Sequence, residues 1–457
     1  MKIHFIAIGG SAMHNLALAL AQKGYTITGS DDAIFEPSLS RLKKQGIAPD
    51  QLGWFPSKIT ADLDAVILGM HAHSDNPELR RAKELNLKIY SYPEFLYEQS
   101  KNKTRVVIAG SHGKTTITSM ILHVLNYHHV DVDFMVGAQL EGFDTMVKLT
   151  DHNEFMVLEG DEYLSSPIDL RSKFLLYQPN IALISGIAWD HINVFSTFET
   201  YKQQFISFVS SVSQGGALIY NEEDKEVVDV VEKSNNYIKK FPYHTPGYAI
   251  RDEKVYLQTS EGELQLALFG RHNLLNLEGA RLVCNQIGIQ NEEFYEAILT
   301  FKGASRRLEK IYETKDYIVY RDFAHAPSKV MATVKAVKEN FSHKRLVACL
   351  ELHTYSSLNP EFLKQYKYSL EEADKAIVFY SEEALKIKRM EPISEELIKN
   401  SFKNSGLKVF SDSISLEKYL KEIDKTNSVF LMMSSGNYGG LNLDNVFWDK
   451  KIFNNKT

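Results

Sequence analysis

Cysteine is nearly absent from this 457-residue chain: Cys284 and Cys349 are the two present, each in an apolar run and neither in a CxxC pair. That excludes a disulfide-stapled scaffold and leaves two buried thiols of a reducing compartment as the expectation. Long apolar runs are missing too. No uncharged stretch reaches the ~18 residues that a membrane helix needs. Met1–Ile8 lacks the apolar segment and small-residue cleavage site of a secretory leader before it runs into Gly9-Gly10. A cytoplasmic chain with no membrane insertion is therefore expected. Positive charge is not in excess: 52 Lys+Arg face 58 Asp+Glu, a net −6 with no basic block. A protein that coats nucleic acid by neutralising phosphates has the opposite balance, so no nucleic-acid partner is expected. Repeats of 20–50 residues and low-complexity segments are also missing.

What is present is a 44% hydrophobic, 24% charged chain, ordinary for a folded protein and long enough for several domains. Short apolar runs recur at 3–8, 65–69, 105–109, 155–159, 181–187, 346–351, 376–380 and 428–433. Most lack alternation, as strands buried on both faces of a parallel sheet do. Between them lie helical spacings such as Met13, Leu16, Ala17, Leu20 and Ile117, Met120, Ile121, Val124, Leu125, each able to lay one stripe on a sheet. Repeated strand–helix alternation predicts α/β domains with open, largely parallel sheets. Polar interruptions at Glu98–Thr104 and Lys302–Ser305 predict boundaries near 101 and 303, giving three domains: 1–101, 102–303 and 304–457. Alternation around Ser260-Glu261-Gly262 predicts an antiparallel hairpin over 253–268, inside the middle domain.

The strongest chemical signal is Gly110-Ser111-His112-Gly113-Lys114-Thr115-Thr116, placed between a strand and a helix. Glycines let backbone N–H groups close on phosphate oxygens, and the helix terminus adds partial positive charge. Lys114 can reach β- and γ-phosphates, and the Thr115 hydroxyl suits Mg²⁺, although the first glycine of the standard P-loop spacing falls at Ile108. Gly9-Gly10-Ser11-Ala12 forms a second strand-to-helix turn, with Asp31 where a ribose-binding acid would lie; a plain βα turn accounts for it equally well. Glu159, Asp161 and Glu162 end one strand run, and Asp190-His191 follow another, so Glu159 and His191 are candidate metal ligands. Asn273 and Asn276 share a helical face able to read a base edge, while a cap explains one of them. Arg306 and Arg307 can face a transferring phosphoryl group; Asp322 and His325 follow them.

Taken together, these motifs resemble the Mur ligases, the ATP-dependent amide-forming enzymes of peptidoglycan synthesis, and the resemblance runs the whole chain. It implies a Rossmann-like UDP-binding domain, a central P-loop ATPase domain and a Rossmann-like C-terminal domain that takes the amino substrate. It also implies ATP and Mg²⁺ as cofactors. The resemblance implies Lys114, Glu159, His191 and His325 as catalytic residues and Thr115, Glu159 and His191 as metal ligands. Gly110 to Thr116, Asn273, Asn276, Arg306, Arg307 and Asp322 would bind ATP. Gly9, Gly10, Ser11, Ala12 and Asp31 would bind UDP, and His353, Ser434 and Ser435 the peptide. His112 and the Gly9-Gly10-Ser-Ala-Met turn point to the branch that takes UDP-N-acetylmuramate. The segment Asp169–Pro179 is similar to the recycling members, which attach the tripeptide L-alanyl-γ-D-glutamyl-meso-diaminopimelate in one step. That is the expected reaction; ligation of L-alanine alone is the alternative, and a non-catalytic UDP-sugar sensor a third reading. His353 stands where recycling members carry an arginine, Gly160 where they carry alanine, and Ala326 in place of a second histidine. No lysine occupies 203–209, where some members carry a carbamylated one.

Overall fold

The computed structural model describes residues 1–140, 142–143, 145–190, 192, 194–303, 307–388 and 390–448. They divide into two compact units. The first comprises Met1–Trp189, Val194–His244 and Leu277–Ile298; the second takes Thr245–Asn276, the chain from Leu299 onward and a short segment at Asp190.

The first unit holds two parallel sheets. Strands β1 (Lys2–Ile6), β2 (Thr26–Ser30), β3 (Ala65–Leu68) and β4 (Ile89–Ser91) pair in the order β2-β1-β3-β4, all parallel. Because β2 and β3 flank β1 on opposite sides, the turn Gly9-Gly10 after β1 lies at the switch point where open α/β sheets accept ligands. The second sheet contains β5 (Thr104–Ala109), β6 (Asp133–Met135), β7 (Val147–Lys148) and β8 (Phe155–Glu159). A small antiparallel pair follows, β9 (Leu164–Ser166) with β10 (Asp169–Ser172), before β11 (Ile181–Ile184), β12 (Ala217–Asn221) and β13 (Lys239–Tyr243) return to the sheet. Its order is β13-β12-β11-β5-β8-β6-β7, parallel except for β6 against β7. Val106–Ala109 of the central β5 are fully buried, which is why that run reads as unbroken Val, Ile and Ala. Strand β11 stops at Ile184, three residues short of its apolar run, because Ser185–Ala188 turn aside to contact the Gly110–Gly113 loop.

The two sheets expected in separate domains pack in one unit. The Arg105 guanidinium, buried at the junction, donates to the carbonyls of Ser100, Lys101, Lys103, Tyr177 and Gln178 at 2.8–3.1 Å. Asn15 Nδ2 meets Met146 Sδ at 3.4 Å and Asn15 Oδ1 accepts from Met146 N at 3.3 Å. One apolar cluster runs through both sheets, from Ile3 and Phe5 to Leu218 and Val227.

The second unit contains an antiparallel sheet of β14 (Tyr248–Arg251), β15 (Lys254–Thr259) and β16 (Gly262–Leu266). The predicted hairpin is therefore present, but it belongs to this unit and not with the β5 sheet. Contacts that hold it include an Asn340 Nδ2 bond to Glu253 O at 3.1 Å, a Lys344–Glu253 ion pair and the Phe269–Phe341 edge contact at 5.6 Å. The main sheet has β17 (Glu309–Glu313), β18 (Tyr317–Asp322), β19 (Arg345–Leu352), β20 (Lys375–Tyr380), β21 (Lys408–Phe410) and β22 (Ser428–Met433) in the order β17-β18-β22-β19-β20-β21. All pairs are parallel except β17 with β18, so Asp322, Ser434 and His353 follow the C-terminal ends of adjacent strands.

Candidate functional site

The loop after β5 begins at Gly110, whose φ of +128° and position admit no side chain: a Cβ there would stand 2.2 Å from Ser185 Oγ and 3.0 Å from Ser185 N. Gly113 (φ 76°) caps the helix Lys114–Tyr127 without a side-chain bond, and first-turn N–H groups of such a helix suit an anion. Lys114 Nζ donates to Gly110 O at 2.6 Å and to Glu162 Oε2 at 2.7 Å. Burial pulls the Lys114 ammonium down, but Glu162, Asp161 and Glu159 outweigh it and hold it above its ordinary value. Thr115 Oγ1 donates to Glu159 Oε1 at 2.8 Å, and Gly137 N donates to Glu159 Oε2 at 2.9 Å. A hydroxyl and a carboxylate at this spacing are hard oxygen donors of the kind Mg²⁺ takes. Among the described residues no three His, Cys, Asp or Glu side chains gather as a metal cluster. His191, the third expected ligand, lies outside the described residues, as does Arg306.

In the same unit, a cavity of about 550 Å³ is bounded by the Gly9–Ser11 turn, Asp31, His14, Arg41, His71 and Met146, among others. A side chain at Gly9 would meet Asp31 Oδ2 and Ile34 Cγ1 at 2.9 Å, so the backbone itself faces the cavity. Asp31 Oδ2 accepts from Gly9 N at 2.6 Å; burial pushes its carboxyl up, against the hydrogen bonds from Gly9 and Ala33. Gly10 leads the helix Ser11–Gln22 with no side-chain cap, and Ser11 and Ala12 are exposed on its first turn. His14, lowered by burial, bonds Gly10 O and Ser38 Oγ at 3.0 Å. Arg41 donates to Gln139 Oε1 at 3.0 Å. His14, Arg41 and His71 were not singled out in the sequence. His14 and Arg41 face the turn from neighbouring helices, and only His14 carried a signal, three residues into a helix that opens on glycine.

In the second unit, Asp322 is buried at the end of β18 and accepts from Leu308 N and Ala324 N, each at 2.7 Å. The Arg307 guanidinium stacks over Phe323 at 4.7 Å. His325, held to about 4 chiefly by burial, bonds Phe323 O at 2.9 Å. Asn273 and Asn276 are buried on the helix Arg271–Ile287, where Asn273 Nδ2 is engaged by Phe269 O at 3.0 Å. At the ends of β19 and β22 the sequence-predicted His353 and Ser434 converge on a residue it missed. Glu351 is 1% exposed, accepts from Ser434 Oγ and from Tyr438 N at 2.9 Å, and lies 3.7 Å from His353 Nδ1. Glu351 is the penultimate residue of β19 and His353 the first residue after it, so a strand-end position was the signal that would have found the pair. Ser435 Oγ is buried without a hydrogen-bond partner among the described residues.

Residues 2–104 match the model described as Mur ligase family, catalytic domain, and residues 108–284 the Mur ligase middle domain. A UDP-N-acetylmuramate–L-alanine ligase of Sulfurihydrogenibium is 33% identical over 447 residues, 95% of each chain. Among solved structures, a UDP-N-acetylmuramate–alanine ligase of Thermotoga maritima superposes with a TM-score of 0.68 at 22% identity, over 95% of this chain and 96% of that one. The UDP-N-acetylmuramate:L-alanyl-γ-D-glutamyl-meso-diaminopimelate ligase of Neisseria meningitidis gives 0.60 at 25% identity, over 66% of this chain and 98% of that one. The chain belongs to the Mur ligase family, and its mixed α/β architecture with parallel sheets matches the family's three-domain ligases. It is an ATP-dependent amide ligase of peptidoglycan synthesis. Among the described residues no helix is long and apolar enough to cross a membrane.

Proposed function

We propose that this ligase joins the amine of L-alanine to the lactyl carboxylate of UDP-N-acetylmuramate, with ATP converted to ADP and phosphate. The observation that carries this reading is a phosphate-cradling loop armed with Lys114 and Thr115–Glu159, in one unit with a cavity bounded by a backbone turn suited to a diphosphate. The curated relatives at 29–33% identity bear the name of the L-alanine ligase and support that amine substrate over the tripeptide. The tripeptide remains a second reading for a specific reason. The Asp169–Pro179 segment forms the arm β10 and the turn behind it, where Lys173 pairs with Asp161 at 2.6 Å beside the loop, and the meningococcal structure is named for that substrate. We place the domain boundaries near 101 and 303.

An amine cannot displace oxide from a carboxylate, so the carboxylate oxygen first attacks the γ-phosphorus, and the bond to the ADP oxygen breaks. The amine nitrogen then attacks the acyl carbon, loses a proton, and inorganic phosphate leaves with the C–O bonding pair. Lys114 offsets the charge that gathers when two anions meet, the main electrostatic obstacle to the first step. Thr115 and Glu159 would hold Mg²⁺, which supplies Lewis-acid screening of phosphate oxygens. Gly10 and Ser11 hold the UDP diphosphate, Asp31 its ribose, and Asn273 and Asn276 the adenine. On the second unit, Arg307, Asp322 and His325 are the proposed nucleotide-facing residues, and His353, Ser434 and Ser435 the proposed amine-facing ones. The test is phosphate release with ATP, UDP-N-acetylmuramate and either L-alanine or the tripeptide. Release with L-alanine alone supports the first reading, release only with the tripeptide the second, and release with neither leaves a UDP-sugar sensor.

A further inference from the structure

The Lys114 ammonium has three N–H groups, and among the described residues two are engaged: one by Gly110 O at 2.6 Å, one by Glu162 Oε2 at 2.7 Å. One remains for a phosphate oxygen. A lysine on a flexible four-carbon stem holds no fixed direction by itself; two acceptors at right spacing give it one. Gly110 O is fixed by the loop. Glu162 is 1% exposed, and its other oxygen, Oε1, accepts from Tyr201 OH at 2.8 Å. Tyr201 is fully buried on the helix Phe198–Ser210, edge-on to Phe195 and Phe205 at 5.4 Å, so its hydroxyl cannot wander. That hydroxyl also meets Ser111 Oγ at 2.7 Å, and Ser111 Oγ accepts from Ala188 N at 2.9 Å. A buried chain of hydrogen bonds thus ties the loop that cradles phosphate to the segment after β11, with Glu162 as its link to the lysine.

We propose that Glu162 and Tyr201 are the positioning pair of Lys114: they aim its remaining N–H at the transferring phosphoryl group without touching substrate. Glu159, three residues earlier on the same strand end, does different work, since its partners are Thr115 and Gly137 and not the lysine. The inference rests on the assignment of Lys114 to phosphate stabilisation under the proposed function.

The test compares the full-length chain with Glu162→Gln, Tyr201→Phe and Lys114→Ala. Misplacing a catalytic group by about 1 Å costs on the order of 10²-fold. Glu162→Gln should therefore lower kcat by about 10²-fold, and Tyr201→Phe by about 10-fold, with the KM for ATP within about threefold of the parent in both. Tyr201→Phe removes a single oxygen and keeps the aromatic packing, so it decides the matter if Glu162→Gln does not fold. The ³¹P shifts of bound ATP give a readout independent of turnover, and both variants should move the γ resonance. Parent-like kcat and unmoved resonances in both variants, alongside an inactive Lys114→Ala, would overturn the positioning pair alone. A raised KM with intact kcat would overturn it as well, by making the pair a binding determinant. An active Lys114→Ala would instead remove the P-loop assignment beneath it.

Discussion

Alanine at Gly110 imposes two separable costs. The backbone there sits at φ +128°, a region L-residues rarely adopt, which costs about 1–3 kcal/mol. The new Cβ would also stand 2.2 Å from Ser185 Oγ, a buried hydroxyl bonded to Ala109 O at 3.2 Å and to His112 O. Overpacking of that kind adds about 1–3 kcal/mol, so Gly110→Ala should destabilise the protein by about 2–6 kcal/mol. Ser185→Ala alone costs about 1 kcal/mol for its hydrogen bonds. Combined, the two should fall short of their sum by about 1–2 kcal/mol, because the overlap disappears while the backbone strain stays. Urea unfolding followed by tryptophan fluorescence is the assay, since Trp54 and Trp189 lie in the same unit as Gly110. Strict additivity, or a loss below about 1 kcal/mol for Gly110→Ala, would refute the reasoning.

Other outcomes follow from the same geometry. Lys114→Ala should lower ligation at least about 10³-fold while near-ultraviolet circular dichroism keeps its native form, Glu162 retaining its bond from Tyr201. Arg105→Met should destabilise by about 3–5 kcal/mol, because five buried or half-buried carbonyl contacts lose their donor; urea midpoints compare it with the parent. His325 is depressed from 6.5 to about 4, first by burial and then by the charge of Lys329. The unfolded chain therefore binds the extra proton between those values. Stability is fully present above pH 6.5 and falls by up to about 3 kcal/mol as pH drops to 4. His325→Gln should flatten that window in a pH series of thermal melts.

The features legible in the sequence were those whose cause is local. Val106–Ala109 announced a central strand because both its faces are covered, and Gly113-Lys114-Thr115 announced a tight turn into a helix because the left-handed glycine and the helix start are adjacent. Glu159 followed from its place at a strand end. Long-range choices were illegible. Nothing near Glu162 shows that it, and not Asp161, meets Lys114, and its donor Tyr201 lies 39 residues away on another helix. The hairpin β15–β16 was evident as a hairpin, but its allegiance to the second unit depends on Asn340 and Lys344, far along the chain. The common unit of the first two sheets was hidden for the same reason: Asn15 and Met146 are 131 residues apart.

Arg105 bears on how that unit responds to acid. Most ion pairs weaken when their carboxylates protonate, and Lys23–Asp151 is of that kind: Lys23 holds the Asp151 carboxyl below its ordinary value. Among the described residues, every acceptor of the Arg105 guanidinium is a peptide carbonyl, a group with no proton to gain in the range where proteins survive. The Arg105 part of the joint between the first two sheets is thereby insulated from pH, while the Lys23–Asp151 ion pair that also crosses it is not. Acid will weaken that ion pair before it reaches the carbonyl contacts of Arg105.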